Sequence, residues 1–398
     1  MNCFISNSSI RTGVDLFEKR WPNQLKGSRI GLLVHPASVN RKFMHSSTLF
    51  LKSKKFRLKA LFGPQHGIRG ETQDNMVEWH GFLDKQTGLP VFSLYGNTRR
   101  PEPSMLKDID AMAIDMQDIG SRYYTFIWTM ELCMRACLET HKSIIILDRP
   151  NPLSGNITEG PVLDAAYASF VGQRPLPVRH GMTIGEIGNY LHHEFYPSLD
   201  LYVIRMQGWK RRMWHDETGL PWVMPSPNMP THDTAIVYPG MCLFEGTNIS
   251  EGRGTTRPFE IFGAPFIDPE ALSTHLKEFR LRGAVFRPMY FEPTFQKYAG
   301  NLCGGAQIHV TDRKKFKPFK TAVAAIKAIH DLYPDQFFWK QPPYEYEFEK
   351  LPIDILAGTD RLRKEIEHGE DIERIEDRWQ EECSQFDKSY RKKHLMYK

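Results

Sequence analysis

Short apolar runs alternate with helix-like stretches along the first half of the chain. Five runs have the near-continuous apolar character of parallel strands that are buried on both faces; they span residues 29–36, 58–64, 89–96, 110–118 and 143–150. Residues 125–140 carry a broad apolar stripe at helical spacing. A second predicted helix, 183–195, begins with a capping-box spacing and precedes a sixth candidate strand at 201–206. This alternation predicts a doubly wound α/β sheet.

The pattern changes after about residue 207. The segment 220–240 is rich in proline and is typical of a long ordered connection, and the remainder mixes strands and helices in an α+β pattern. We therefore predict an α/β domain over residues 1–235 and a smaller α+β domain over 236–398 that closes a cleft. The charged tail after Asp360 is predicted to form an amphipathic helix that packs on the body of the protein.

Composition excludes several classes of protein. The chain has 398 residues, 25% of them charged, and a formal net charge of only +5. It has no block of five or six like charges, so neither nucleic acid nor an acidic membrane surface is an expected partner. The six scattered cysteines are typical of reduced thiols rather than of a disulfide framework. No signal-peptide pattern opens the chain and no run of 18 apolar residues occurs in it, which predicts a cytoplasmic protein.

Polar side chains follow each predicted strand of the first half. His35 follows the first strand, Gln65 and His66 the second, and Tyr95 the third. The fourth strand runs into Asp115, Gln117, Asp118, Arg122 and Tyr123, and the fifth into Asp148, Arg149 and Asn151. Because ligands of open α/β sheets bind outside the carboxyl ends of the strands, these groups predict a site at one edge of the sheet. Each residue taken alone is also compatible with a helix cap or a turn.

The second half contributes another polar segment, "LFEGTNISEGRGTTRPFE" at 243–260. It contains Glu245, Thr247, Asn248 and Arg253 among glycines that permit close approach of the backbone. One interpretation is a glycine-rich connection whose arginine caps a helix; the other is a wall of the cleft that faces the sheet edge. Carboxylates, amides, aromatic rings and arginines together suit a polyhydroxylated ligand that bears a carboxylate.

Common cofactor and catalytic motifs are absent from the sequence. No G-x-G-x-x-G follows the first strand, and no Walker A motif, zinc-spaced Cys/His set or G-x-S-x-G elbow occurs. The segment around His193 is not H-E-x-x-H. The missing glycine motif disfavours a dinucleotide-binding site.

Ten segments in order resemble the NamZ-type exo-β-N-acetylmuramidases, long catalogued as a domain of unknown function. They are "FGPQHGIRG", "SLYGNTRRPEPSML", "DMQDIGSRYYT", "LDRPNPLSG", "EGPVLD", "RHGMTIGE", "PWVMPSPNMPT", "YPGMCLFEGTNIS", "GRGTTRPFE" and "YAGNLCGGAQIHVTDR". The resemblance runs from about Gly13 to the C-terminus. It implies a Rossmann-like first domain, a smaller α+β second domain, and cleavage of a terminal β-linked N-acetylmuramic acid from peptidoglycan fragments in the cleft between them. It also implies that no metal and no nucleotide cofactor takes part.

One position departs from the family pattern. The second strand of the family usually ends in "GPEHG", and that Glu is a leading candidate for the catalytic carboxylate, whereas this chain has Gln65. An amide cannot transfer a proton near neutral pH, although it can orient a hydroxyl or an acetamido group. Glycoside hydrolysis usually needs two carboxyl groups, or one carboxyl group and the acetamide of the substrate. Either another carboxylate takes the role, or the chain binds without cleaving, or the family Glu is not essential.

The resemblance and the strand-end pattern together define the candidate residues. The catalytic candidates are Glu71, Asp118, His66, Glu245 and Gln65. The candidate substrate-binding residues are Asp115, Gln117, Arg122, Tyr123, Arg149, Asn151, Glu159, Asn228, Thr247, Asn248 and Arg253. The three arginines of this set, Arg122, Arg149 and Arg253, are candidate partners of the lactyl carboxylate of N-acetylmuramic acid. Structural roles are the alternative: Asp118 would pair with Arg122, Glu159 would hold a turn, and Glu245 would cap a loop.

Three functional hypotheses remain open at this point. The first is a glycosidase that acts on a small saccharide or muropeptide recycled from the cell wall. The second is a non-catalytic cytoplasmic protein that binds amino sugars on a hydrolase scaffold, which Gln65 favours. The third is a hydrolase of another acidic amino sugar.

Overall fold

A computed structural model describes residues 9–74 and 76–398. Its strands are β1 (Arg29–Val34), β2 (Arg57–Gly63), β3 (Phe82–Leu83), β4 (Pro90–Ser93), β5 (Ala111–Asp115), β6 (Ser143–Leu147), β7 (Glu159–Val162), β8 (Pro177–Arg179), β9 (Leu201–Ile204), β10 (Ile261–Ala264), β11 (Ala284–Phe291) and β12 (Cys303–Val310). Its α-helices are α1 (Gly13–Arg20), α2 (Ser46–Lys52), α3 (Pro103–Leu106), α4 (Phe126–Glu139), α5 (Ile184–Phe195), α6 (His232–Met241), α7 (Pro269–Glu278), α8 (Pro318–Leu332), α9 (Pro352–Ala357), α10 (Arg361–Glu367), α11 (Ile372–Phe386) and α12 (Lys392–His394).

The largest sheet has seven strands in the order β3-β4-β2-β1-β5-β6-β9. Its neighbouring strands are parallel except for β3, which runs antiparallel to β4 at the edge. The chain moves outward from β1 through β2 to β4, then returns across β1 to β5, β6 and β9, so the sheet is doubly wound. All six strands predicted from apolar runs are confirmed as β1, β2, β4, β5, β6 and β9. The runs were recognisable because parallel strands that are covered on both faces are apolar at nearly every position.

Helices cover both faces of this sheet. Ile30 and Leu32 of β1 pack with Phe17 of α1 and Phe50 of α2, whereas Leu33 belongs to the core on the opposite face, with α4 and α5. Successive side chains of a strand point to opposite faces, which explains the split. The predicted helices are confirmed as α4 and α5, and α5 begins with the predicted capping box, in which the Thr183 hydroxyl accepts from Glu186 N–H.

The second half builds a three-stranded antiparallel sheet in the order β10-β12-β11. Helix α7 packs on it, and α8 packs in turn on α7 and α6. The predicted amphipathic helix of the tail is confirmed as α11, which buries Ile372, Ile375 and Trp379 and packs on β7. A two-stranded ladder of β7 and β8 has no counterpart among the predicted elements. Within the described ranges, no helix combines the length and the apolar character needed to cross a bilayer.

Candidate active site

The turn after β2 presents Gln65 and His66 at the carboxyl edge of the sheet. His66 has a φ of +70°, a left-handed conformation that is uncommon for any residue but glycine and that concentrates at functional sites. His66 Nδ1 lies 2.8 Å from the carbonyl oxygen of Thr72. Burial lowers the pKa of His66 to about 4, so the imidazole is neutral near pH 7 and does not serve as a cation there.

Gln65 is almost completely buried and is held by three side chains. The Thr125 hydroxyl donates to Gln65 Oε1 at 2.7 Å. Gln65 Nε2 donates to the Tyr95 hydroxyl and to Glu345 Oε1, both at 3.1 Å. Tyr95 in turn donates to Glu345 Oε2 at 2.7 Å. The amide therefore has one orientation, with its N–H groups toward a carboxylate from the second half of the chain.

Glu345 lies at the tip of a tight hairpin turn over residues 344–347. Tyr344 and Glu347 exchange both backbone hydrogen bonds at 2.9 Å, and φ is positive at the two central residues, +46° at Glu345 and +66° at Tyr346. Such turns normally use Asn or Gly, because a left-handed conformation costs other residues about 1–2 kcal/mol each. Side-chain contacts with the first half of the chain accompany this conformation: Tyr346 donates to Glu78 at 3.2 Å, and the Arg99 guanidinium lies 3.4 Å from its ring centre.

Burial raises the pKa of the Glu345 carboxyl to about 7. Hydrogen bonds from Tyr95 and Gln65 oppose the shift, and the negative charge of Glu245 adds to it. Near neutral pH this carboxyl group therefore exchanges between its protonated and ionised forms, which is the property that proton transfer in catalysis requires.

A second carboxylate, Glu245, comes from the short helical turn before the glycine-rich segment. Arg253 Nη2 pairs with Glu245 Oε1 at 2.8 Å, and the Tyr344 hydroxyl donates to Glu245 Oε2 at 2.7 Å. The other amino group of Arg253 pairs with Glu251 at 3.1 Å, and Lys297 completes the cluster 3.0 Å from Glu251. Glu245, Glu251 and Arg253 are buried, and Lys297 is half-buried, so three carboxylate–cation contacts hold this wall of the cavity together.

These groups line one cavity between the two halves of the chain. Its walls are Gln65, His66, Tyr123, Tyr124, Thr125, Phe126, Val171, Ser226, Asn228, Met229, Tyr238, Glu245, Arg253, Phe259, Tyr344 and Glu345. Its free volume is about 30 Å³, which is room for about two waters. The cavity combines two carboxyl groups, one arginine and several tyrosines, as a site for a sugar that bears a carboxylate requires.

Six of the predicted site residues line this cavity: Gln65, His66, Tyr123, Asn228, Glu245 and Arg253. Two catalytic candidates do not line the cavity. Glu71 is exposed, and its carboxylate accepts from the backbone N–H of Arg69 at 3.0 Å. Asp118 is buried, accepts from Gly120 N–H at 2.7 Å, and lies 3.2 Å from His180 rather than against Arg122.

Arg122 is fully buried and does not line the cavity. Its two amino groups donate to four carbonyl oxygens: Pro161 and Leu176 at 2.7 Å, and Leu356 and Ala357 at 2.8 Å. The guanidinium caps the end of α9 and joins that helix to the β7–β8 ladder. This structural role does not match the prediction that Arg122 binds the substrate.

Four more predicted residues lie under the sheet edge. Arg149 pairs with Asp115 through both carboxylate oxygens, at 2.6 and 2.7 Å. Gln117 donates to the carbonyls of Asp118 and Pro150, and Asn151 donates to Met182 O. Arg149 and Gln117 line a separate small cavity beside Trp222. These side chains support the walls of the edge without reaching the cavity that holds Glu345.

The remaining three candidates are placed elsewhere. Asn248 bonds to the backbone of residues 336 and 338, and the Thr247 hydroxyl donates to Phe244 O. Glu159 accepts from Lys320 N–H at 3.0 Å and lies at a larger surface depression of about 1280 Å³. Basic side chains outnumber acidic ones in its lining, and Lys320 there pairs with both Glu373 and Glu376. No carboxyl end of a strand in the main sheet lines it.

Sequence reasoning missed Glu345, Tyr344 and Thr125. Glu345 lies 280 residues from Gln65, in the segment "PPYEYEFEK", which carries no catalytic motif. The alternation of acids and tyrosines beside two prolines was the available signal, because an acid placed among aromatic residues in a tight turn is a candidate for a buried carboxyl group.

One group of described residues has spacing compatible with a metal ion: His193, Glu194 and His394, whose ligand atoms lie within 4.8 Å of one another. It joins the end of α5 to α12, and none of its members lines the cavity. The donor set in the cavity itself consists of carboxylates already paired with arginine, amide or tyrosine, which suits a sugar better than a metal ion.

Two family models cover nearly the whole chain. They describe the N-terminal part of the exo-β-N-acetylmuramidase NamZ, matched at residues 30–233, and its C-terminal part, matched at residues 236–397. The chain belongs to the NamZ family.

Relatives and solved structures of the NamZ family agree with this assignment. The peptidoglycan β-N-acetylmuramidase NamZ of Bacillus subtilis strain 168 is 47% identical over 389 residues, which are 98% of this chain and 91% of that protein. Two crystal structures of DUF1343 family proteins from Bacteroides fragilis NCTC 9343 have TM-scores of 0.87 and 0.77, at 34% and 30% identity. Each match covers 98% of this chain and 99% of the other.

Proposed function

We propose that this chain is an exo-acting glycosidase that releases terminal β-linked N-acetylmuramic acid from peptidoglycan-derived saccharides. The observation that carries the proposal is the cavity between the two halves, where Glu345 and Glu245 both present carboxyl groups beside Gln65 and Arg253. Two carboxyl groups in one cavity are what glycoside hydrolysis uses. The identity to a peptidoglycan β-N-acetylmuramidase over 98% of the chain supports the substrate class.

Arg253 is the proposed partner of the lactyl carboxylate. Of the three arginines that the sequence suggested for this role, Arg253 lines the cavity, whereas Arg122 and Arg149 do not. Its amino groups pair with Glu245 and Glu251, but its Nε has no hydrogen-bond partner among the described residues. A buried N–H without a partner costs free energy, and a carboxylate of the substrate would satisfy it.

The test compares two chromogenic sugars that differ only in the lactyl group: 4-nitrophenyl β-N-acetylmuramide and 4-nitrophenyl β-N-acetylglucosaminide. We expect turnover of the first, and a kcat/KM on the second that is lower by at least tenfold, because the second leaves Arg253 Nε unpaired. Digestion of an oligosaccharide ending in N-acetylmuramic acid should release the monosaccharide alone, in keeping with an exo mode. Binding of either sugar without any turnover would instead establish a non-catalytic binding protein.

The size of the cavity bears on how the substrate enters. A sugar site normally encloses several hundred cubic ångströms, and this cavity has room for about two waters. The turn 344–347 forms one wall, and its contacts with the first half are side-chain contacts of Glu345 and Tyr346. We infer that the turn moves away to admit the sugar and returns to close over it.

Replacing Arg99 by alanine should therefore impair turnover. The substitution removes the guanidinium that covers the Tyr346 ring and pairs with Glu78 at 3.3 Å. A cation–π contact of this kind contributes about 1–2 kcal/mol, so we expect kcat/KM to fall about tenfold with the thermal unfolding midpoint nearly unchanged. Arg100→Ala is the matched control, because Arg100 pairs with Glu139 of α4 instead; equal losses in both variants would refute a role of the turn.

A further inference from the structure

Position 65 is an amide, so the proton that leaves with the departing sugar has to come from elsewhere. We propose that Glu345, delivered by the turn 344–347 from the second half of the chain, is the general acid of this enzyme, and that Gln65 and Tyr95 are its positioning residues. This inference rests on the proposed function and names the catalytic group of the same site.

Geometry is the first support. Glu345 lines the cavity, and each of its carboxyl oxygens has one partner: Gln65 Nε2 at 3.1 Å on Oε1 and the Tyr95 hydroxyl at 2.7 Å on Oε2. Tyr95 also accepts from the backbone N–H of Met76 at 3.0 Å. Gln65 and Tyr95 therefore fix both oxygens of the carboxyl group, and each of the two has a further hydrogen bond that fixes it in turn. A proton donor aimed at one atom requires such support.

The backbone is the second support. Two consecutive residues other than glycine adopt positive φ at the tip of the turn. Strain of this kind persists only where the surroundings impose it, and it concentrates at functional sites. Here the strained pair, Glu345 and Tyr346, is the pair whose side chains reach across the cavity to the first half of the chain.

The two carboxyl groups of the cavity have different environments. Glu245 carries an ion pair with Arg253 at 2.8 Å, whereas the contacts of Glu345 are an amide and a phenol, neither of them charged. Burial raises the pKa of the Glu345 carboxyl to about 7, which agrees with a group that can donate a proton near neutral pH. Two carboxyl groups in different surroundings can take different roles in one site.

Hydrolysis with Glu345 as the acid uses water as the second reactant. The C1–O bond of the terminal sugar breaks with its electron pair remaining on the departing oxygen, and that oxygen takes the proton of Glu345. A water oxygen forms the new bond to C1, and one proton of that water restores the Glu345 carboxyl in the overall cycle. No oxidant, reductant or metal enters the balance.

The test uses two leaving groups with the full chain. A 4-nitrophenolate departs with little help from an acid, whereas a sugar alkoxide needs a proton. We expect Glu345→Gln to lower kcat/KM on the disaccharide of N-acetylmuramic acid and N-acetylglucosamine by about 10²–10⁴-fold, and to lower it far less on 4-nitrophenyl β-N-acetylmuramide. Glu349→Gln, an exposed acid four residues on, is the matched control and should behave as wild type.

A second variant keeps the test decisive if Glu345→Gln fails to fold. Burial raises the pKa of Glu345 to about 7, so with Glu345 as the acid we expect wild-type kcat/KM to fall above about pH 7. Tyr95→Phe removes a hydrogen bond that favours the carboxylate, so this fall should move to higher pH. If Glu345→Gln lowers kcat/KM equally on both substrates, or lowers it on neither, the inference is wrong. Turnover by the wild type would still support the proposed function in that case. A wild type silent on both substrates overturns the proposed function and the inference with it.

Discussion

Replacing Arg122 by methionine should lower the free energy of unfolding by about 3–5 kcal/mol. The four carbonyl oxygens that Arg122 binds are buried with it, and an unsatisfied buried acceptor costs about 1–3 kcal/mol. Two of these oxygens end α9, where the helix dipole also favours a cation. Burial lowers the pKa of Arg122 to about 10, so the guanidinium remains charged at neutral pH in the folded protein.

Urea denaturation followed by circular dichroism would measure this loss. Arg122→Lys should recover only part of it, because an ammonium group does not reproduce the planar fork that reaches four oxygens. Arg69→Met is the control: Arg69 is largely exposed and makes one ion pair with Asp84 at 3.1 Å, so its loss should change stability by less than about 1 kcal/mol. A raised KM at unchanged stability in Arg122→Met would show that the arginine binds substrate after all.

Local composition was sufficient to predict most of the framework. The run "SIIIL" that became β6 is apolar at every position after its first serine, because both faces of a central parallel strand are covered. The meeting of Gln65 with residues that follow β5 was also predictable, since parallel strands bring their carboxyl ends to one edge. Glu245 and Arg253 were found because a dense polar segment in a glycine-rich stretch stands out from its surroundings.

The remaining parts of the site depend on contacts between distant parts of the chain. Glu345 reaches Gln65 across 280 residues through a two-residue turn, and no periodic pattern records such a contact. Arg122 follows a strand end like a binding residue, yet its partners are backbone carbonyls of α9 and of the β7–β8 region, which any sequence supplies. Glu71 lies close to Gln65 in sequence, but the chain turns there and leaves its carboxylate exposed.

Replacing Gln65 by glutamate should move the alkaline fall of activity to higher pH. The new carboxyl group would lie about 3 Å from Glu345 Oε1, where the amide Nε2 now lies. Two carboxyl groups at this short distance do not both ionise readily. The pair therefore keeps one proton over a wide pH range and loses it at a higher pH than Glu345 would alone. Burial raises the pKa of Glu345 to about 7, so we expect wild-type kcat/KM to fall above that pH. If the shared proton is donated to the leaving sugar, kcat/KM of Gln65→Glu should persist to higher pH.

The measurement is the pH profile of kcat/KM on the disaccharide between pH 5 and about pH 9, compared with wild type. Gln73→Glu is the matched control, because Gln73 is an exposed amide that bonds to the cavity residue Asn228 at 3.1 Å, and its replacement adds the same charge away from Glu345. An alkaline limb that moves equally in both variants would indicate a general electrostatic effect. A limb that moves only in Gln65→Glu identifies the carboxyl pair as the titrating group, and thereby explains why an amide at position 65 is compatible with hydrolysis: the proton is carried by its partner.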